Sequence, residues 1–142
     1  GIGLGQLEKL RSRTHSRRKV FQKYFNTLGE IDGIQFQEEE KGSVGIRWLT
    51  VLRLDPIKIN VHPYKILRNL KLKGIEGRPA WKPMHLQPLL KDASFFTHNQ
   101  NHPVSSQLFL QSLCLPSGSS LSEEDQTRII FEIKNILKAD NG

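Results

Sequence analysis

The sequence predicts an α/β domain of the α+β kind: two layers, with helices packed on a small, mostly antiparallel sheet. Three observations lead there. Apolar residues recur at spacings of three and four near both ends of the chain, so helices bracket it. Between those helices, short apolar stretches alternate in twos and stop at Gly or Pro, as short strands do. No internal repeat or low-complexity linker interrupts the 142 residues, which are one domain's worth of chain.

The elements follow in order. Residues 4–28 read as a long helix with Leu4, Leu7, Phe21, Phe25 and Leu28 on its apolar face and Gly29 as a left-handed stop. Asp32-Gly33 makes a turn, and Ile34 and Phe36 alternate as a short edge strand. Glu38 to Glu40 and Gly42 form a solvated loop. "VGIRWLTVLRLD" (44–55) is the clearest strand, alternating Ile46, Trp48 and Thr50 against Arg47, Leu49 and Val51. Arg47 on such a face needs an anionic partner. Pro63 suits the first turn of a second helix carrying Ile66, Leu67 and Leu70, which ends at Gly74. Ile75 and Glu76 begin another extended piece. Residues 85–90 hold a helical turn, 95–102 a polar loop, and Pro103 opens a short helix with Val104, Leu108 and Phe109. Leu113, Cys114 and Leu115 form a buried strand. Ser122 then caps a last helix whose first turn is Glu123, Glu124 and Asp125, with Ile129, Ile130, Ile133, Ile136 and Leu137 as its stripe.

Composition excludes several classes of function. Apolar content of 37% against 25% charged residues is that of an ordinary globular protein. No apolar run approaches the ~20 residues that cross a bilayer, so no membrane partner is expected. The single cysteine, Cys114, has no partner for a disulfide, which predicts a reducing, cytoplasmic setting. The charge of +7 is concentrated in Lys9, Arg11, Arg13, Arg17, Arg18, Lys19 and Lys23, set against Glu8. The aromatic platforms and module signatures of nucleic-acid binders are missing, so that excess reads as a basic helix face. The chain opens on Gly1 with no capping residue, the expectation being that it was cut inside a longer element. Gly1, Gly3 and Gly5 do not complete a dinucleotide fingerprint, because position 6 is Gln6. They read as small residues that let a helix approach a neighbour closely.

No G-x-S-x-G elbow, P-loop or H-E-x-x-H is present, and His15, His62, His85, His98 and His102 show no metal-ligand spacing. Catalytic residues: none are assigned in this chain. The site candidate is "GRPAWKPMHLQPLL" (77–90), where Pro79, Pro83 and Pro88 stiffen a loop bearing Arg78, Trp81, Lys82, His85 and Gln87. A ring and an imidazole can pack on a polar ring such as a sugar, while the cations hold phosphate oxygens. The competing reading is a rigid surface loop with Trp81 anchored in the core and the cations solvated.

"IRWLTVLRL", "IEGRPAWKPMHLQPLL" and "LCLPSGSSLSEEDQTRII", in this order and spacing, resemble the C-terminal region of the DegT/DnrJ/StrS family. These are pyridoxal-phosphate-dependent nucleotide-sugar aminotransferases, and the likeness spans essentially the whole chain. "GIGLGQLEKL" also resembles the family's helix leading from the large domain into the small one. Gly77 departs from the family, where Ser is common, and so does Leu90, where many members have Phe. The resemblance implies the fold of the C-terminal domain of fold type I aminotransferases, a single domain over 1–142 with a leading helix (1–28) and a sheet-plus-helices body (29–142). It implies pyridoxal 5'-phosphate in the full-length enzyme, held by an N-terminal domain that carries the cofactor lysine; Lys82 stands in the wrong motif to replace it. Implied partners are a nucleotide-linked keto-sugar, an amino donor such as glutamate, and a second copy in a homodimer, in bacterial surface-polysaccharide, lipopolysaccharide or glycan biosynthesis. Arg78, Trp81, Lys82, His85 and Gln87, with Arg47 as a weaker addition, would line the substrate side. A truncated, non-catalytic remnant acting as a binding module is the alternative.

Overall fold

A computed structural model describes residues 1–99 and 101–139; Gln100, within the predicted 95–102 loop, and residues 140–142 lie outside it. The first helix, α1, runs Ile2–Leu28. Its two halves differ. Val20, Phe21, Tyr24 and Leu28 are buried at helical spacing, and the Tyr24 hydroxyl donates to the Pro116 carbonyl at 3.0 Å. Burial raises the Tyr24 phenol above its ordinary pKa, because phenolate would have to form in a dry site. Leu4 and Leu7, expected on the same packed face, are instead 67% and 65% exposed. The helical period is right, but among the described residues a Cβ added to Gly3 or Gly5 would meet no atom within 4 Å, so the first turns stay uncovered there. Gly29 is not left-handed either (φ −66°); the reversal comes later, at Gly33 with φ +91°, where a Cβ would come within 2.8 Å of Lys58 and Ile59.

Four strands follow: β1 (Ile34–Phe36), β2 (Thr50–Leu54), β3 (Arg78–Pro79) and β4 (Ser112–Leu115). They lie in the order β1-β2-β4-β3, and every pairing is antiparallel. The register sets Leu52 opposite Leu113 and Thr50 opposite Leu115, facing the core. Residues one step away therefore face outward together: Val51 opposite Cys114, Arg53 opposite Ser112 and Gln35, Arg78 opposite Cys114.

Beyond the sheet, α2 (Pro63–Leu72) starts at Pro63 and ends before Gly74, the boundaries the sequence predicted, and Gly74 takes a left-handed φ of +71°. The last helix, α4 (Glu123–Ala139), begins with the expected cap, Ser122 Oγ accepting from the Asp125 amide at 3.0 Å. Apolar residues of α1, α2 and α4 enclose Leu52, Leu54, Leu113 and Leu115 in one core. A buried amide pins two of these helices, Gln126 donating to the Val20 carbonyl at 2.7 Å. The short α3 (Val104–Gln111) buries no residue and lies against the other face.

The predicted strand over 44–55 is only half realised. Thr50–Leu54 pair, whereas 44–49 form irregular chain in which Arg47 takes φ +52°. The alternation there is inverted: Trp48 is 54% exposed, and the Arg47 side chain is 13% exposed. Glu39 explains this. Its carboxylate accepts the Gly45 amide at 2.7 Å and two bonds from Arg18 at 2.6 and 3.0 Å, pulling the segment away from the ladder. The 38–40 acidic stretch is thus not simply a solvated loop.

Candidate functional site

The loop after β3 is shaped by its prolines. The Ala80 amide donates to the Ser112 carbonyl at 3.4 Å, and single 3₁₀ turns follow at Met84–Leu86 and Pro88–Leu90. Pro83 accepts from Leu86, Met84 from Gln87 and Gln87 from Leu90, so these turns hold part of the main chain while the prolines restrict its φ angles. Trp81 projects from this frame, 72% exposed, its ring 5.9 Å from that of Trp48 in an edge-on contact. A Trp anchored in the core would be covered; this one is presented.

Beneath Trp81 an open groove of about 750 Å³ runs between the loop, β2 and α3. Trp81, Lys82, Met84, Leu108 and Phe109 form its sides, and Val51, Arg53 and Ser112 lie along the outward face of the sheet at its base. Arg53 was not among the residues the sequence singled out. The signal existed: it stands two positions beyond Val51 on the same face of the same strand.

The structure brings only two of the predicted residues, Trp81 and Lys82, to this groove. His85 is turned toward α3, its Nε2 2.8 Å from Ser106 Oγ and its ring stacked on Phe95 at 3.8 Å between centroids. Gln87 braces the loop from within, donating to the Lys82 carbonyl at 3.1 Å. Arg78 lies on the outward sheet face and pairs with Glu76, at 3.1 and 2.9 Å. Arg47 finds its anionic partner inside the chain: its Nε is 3.6 Å from Glu39, its Nη1 donates to the Gln37 carbonyl at 2.8 Å, and its guanidinium covers the Phe21 ring at 3.8 Å. The Arg18 hydrogen bonds above all, then the Gly45 amide, hold the Glu39 carboxyl down at about 2.

Other cations are also engaged within the fold. Arg17 donates to the Trp48 carbonyl at 2.5 Å, Lys19 reaches Glu123 at 2.6 Å, and Lys23 donates to the Glu123 carbonyl and Thr127. Cys114 is buried; burial pushes its thiol up, partly opposed by Arg78, which suits a structural thiol and not a nucleophile. No group of three or more possible metal ligands occurs among the described residues.

The sequence pattern of the DegT/DnrJ/EryC1/StrS aminotransferase family matches residues 1–134. The chain belongs to this family. EpsN of Bacillus subtilis (strain 168), provisionally named a pyridoxal phosphate-dependent aminotransferase, is 44% identical over 130 residues, covering 92% of this chain and 33% of EpsN. The GDP-perosamine synthase of Caulobacter vibrioides is 25% identical over 138 residues, 96% of this chain and 36% of the synthase. Among solved structures, the aminotransferase TlmJ of Streptoalloteichus hindustanus superposes with a TM-score of 0.82 at 23% identity, over 99% of this chain and 36% of TlmJ. A DegT DnrJ EryC1 StrS aminotransferase from Brucella abortus gives 0.78 at 24%, over 94% and 34%. These two likenesses bear on fold. This chain spans about one third of the length of the relatives it matches.

Pyridoxal phosphate, which the family implies, does not fit the groove as this chain builds it. Its lysine, Lys82, is exposed, and no carboxylate among the lining residues could meet a pyridinium nitrogen.

Proposed function

We propose that this chain is the small C-terminal domain of a pyridoxal-phosphate-dependent aminotransferase and forms one wall of its substrate cleft. The substrate class is a nucleotide-linked keto-sugar, a choice supported by relatives that are named GDP-perosamine synthases. The amino donor is a small amino acid such as glutamate, the setting is cytoplasmic glycan or surface-polysaccharide synthesis, and the complete enzyme works as a homodimer. The cofactor supplies the electron sink that makes amino transfer possible; its lysine belongs to the other part of the enzyme. This chain's contribution is grip. Trp81 offers a flat apolar face to a sugar or base, and the rigid loop loses little conformational freedom when it does so.

One observation carries the reading: a tryptophan held 72% exposed on a proline-stiffened loop at the lip of a groove. Trp81 and the neighbouring Trp48, itself 54% exposed, form a contiguous aromatic patch at that lip, and such a patch suits a ligand or a facing surface. In the complete enzyme, Trp81→Ala should raise KM for the nucleotide sugar on the order of tenfold while the cofactor's visible absorbance stays unchanged. His85→Ala should act more weakly, through the loop's seating on Ser106 and Phe95. Unaltered KM in both variants would remove the loop from the substrate wall. This chain alone, mixed with pyridoxal phosphate and glutamate, should transaminate no keto-sugar.

A further inference from the structure

The cations near the groove differ in whether their charge is already neutralised. Arg78 is paired with Glu76, and Arg47 shares Glu39 with Arg18. To bind a ligand's anion, each would first have to give up a carboxylate. Arg53 is different. Its Nε donates to Gln111 Oε1 at 2.9 Å and its Nη1 to Gln35 Oε1 at 3.2 Å, so two neutral amide oxygens orient the guanidinium without cancelling its charge. Neither Arg53 nor Lys82 makes an ion pair among the described residues, and the groove lining they share contains no Asp or Glu.

We propose that Arg53, assisted by Lys82, is the oxyanion subsite of this groove. Arg53 sits on β2, a central strand of the sheet, with Gln35 of β1 on one side and Gln111 of α3 on the other. A rigid base of this kind fixes the planar fork, whose Nη2 stays available for a carboxylate or phosphate oxygen. Lys82, exposed on the loop above, adds a point charge, and Trp81 beside it covers whatever apolar body the anion belongs to. The two sources of such an oxyanion are the diphosphate of a nucleotide sugar and the carboxylate of an amino donor. This deepens the substrate-wall reading and rests on it, and it gives that wall its charge-reading residue.

The test is a titration of the 142-residue chain with inorganic pyrophosphate and, separately, with glutamate, following the Arg53 Nε–H and Trp81 indole N–H resonances. Pyrophosphate or glutamate should shift the Arg53 resonance, and Arg53→Gln should weaken the binding by about tenfold or more. Lys82→Gln should weaken it by a smaller factor. Stronger binding of pyrophosphate assigns the subsite to a diphosphate; stronger binding of glutamate assigns it to a carboxylate. Should Arg53→Gln fail to fold, the parent chain's own Arg53 signal and the exposed Lys82→Gln variant still decide. A silent Arg53 resonance with both anions, or equal binding by Arg53→Gln and the parent, overturns the proposal. The Trp81 kinetics are a separate measurement, so the wall can survive the loss of this subsite.

Discussion

The two faces of the four-stranded sheet are built on opposite principles. The inner face is dry: Leu52, Leu54, Leu113 and Leu115 meet the apolar stripes of α1, α2 and α4, and no partner outside the chain is needed. The outer face carries Gln35, Val51, Arg53 and Ser112, is roofed only in part by α3 and the proline loop, and leaves a groove of about 750 Å³. Strand alternation makes the division possible, since successive residues of one strand face the core and the groove in turn. The lesson is that this chain closes one face by itself and leaves the other open as a groove.

That contrast is most open to challenge in the core. Leu113→Ala should cost about 3 kcal/mol, because a fully buried side chain leaves a cavity among packed helices. Val51→Ala, one register step away on the outer face, should cost less than about 1 kcal/mol. Urea unfolding of both variants measures the difference. Equal losses would mean that the outer face is also structural and that the division fails.

A smaller effect is expected at the sheet's edge, where Glu39 ties Arg18 and Arg47 together. The Glu39 pKa is depressed in the folded chain, to about 2, so its stabilising contribution is complete above the ordinary carboxylate range. It is lost as pH falls through that range toward about 2. The pair is partly exposed, so its contribution is modest. Glu39→Gln should therefore destabilise the chain at neutral pH and flatten the acid limb of stability against pH. An acid limb identical to the parent's would show that the cluster contributes nothing there.

Sequence reading succeeded where the signal is local. Pro63 and Gly74 bounded α2, Ser122 marked the start of α4, and the order of elements followed from such punctuation. It failed where distant groups decide. Ile46, Arg47 and Trp48 alternate like a strand, but Glu39 and Phe21 draw the arginine inward and leave the tryptophan out. The same holds for α1: Leu4 and Leu7 continue the apolar period of Phe21 and Leu28, yet among the described residues no element covers them. Within the site, the loop's chemistry was visible in its prolines and Trp81. The pairing of Arg78 with Glu76, two residues away, was legible locally; that of Arg47 and Arg18 with Glu39 was not, because it depends on folded geometry. Arg53 was legible in principle, from the alternation that identified Val51.

The smallest expected effect is the most informative about the outer face. Trp81→Ala should change folding stability by no more than about 0.5 kcal/mol. The ring is mostly in solvent, its main chain is held by Pro83 and by the Ala80–Ser112 bond, and its edge-on contact is with Trp48, itself 54% exposed. A core aromatic of that size would cost several times more on truncation, about 3–5 kcal/mol. Thermal and urea unfolding of the variant distinguish the two cases. A near-neutral result leaves recognition as the reason for placing a tryptophan there. A loss of core magnitude would mean that Trp81 and Trp48 clamp the loop, and the groove would then be a by-product of packing.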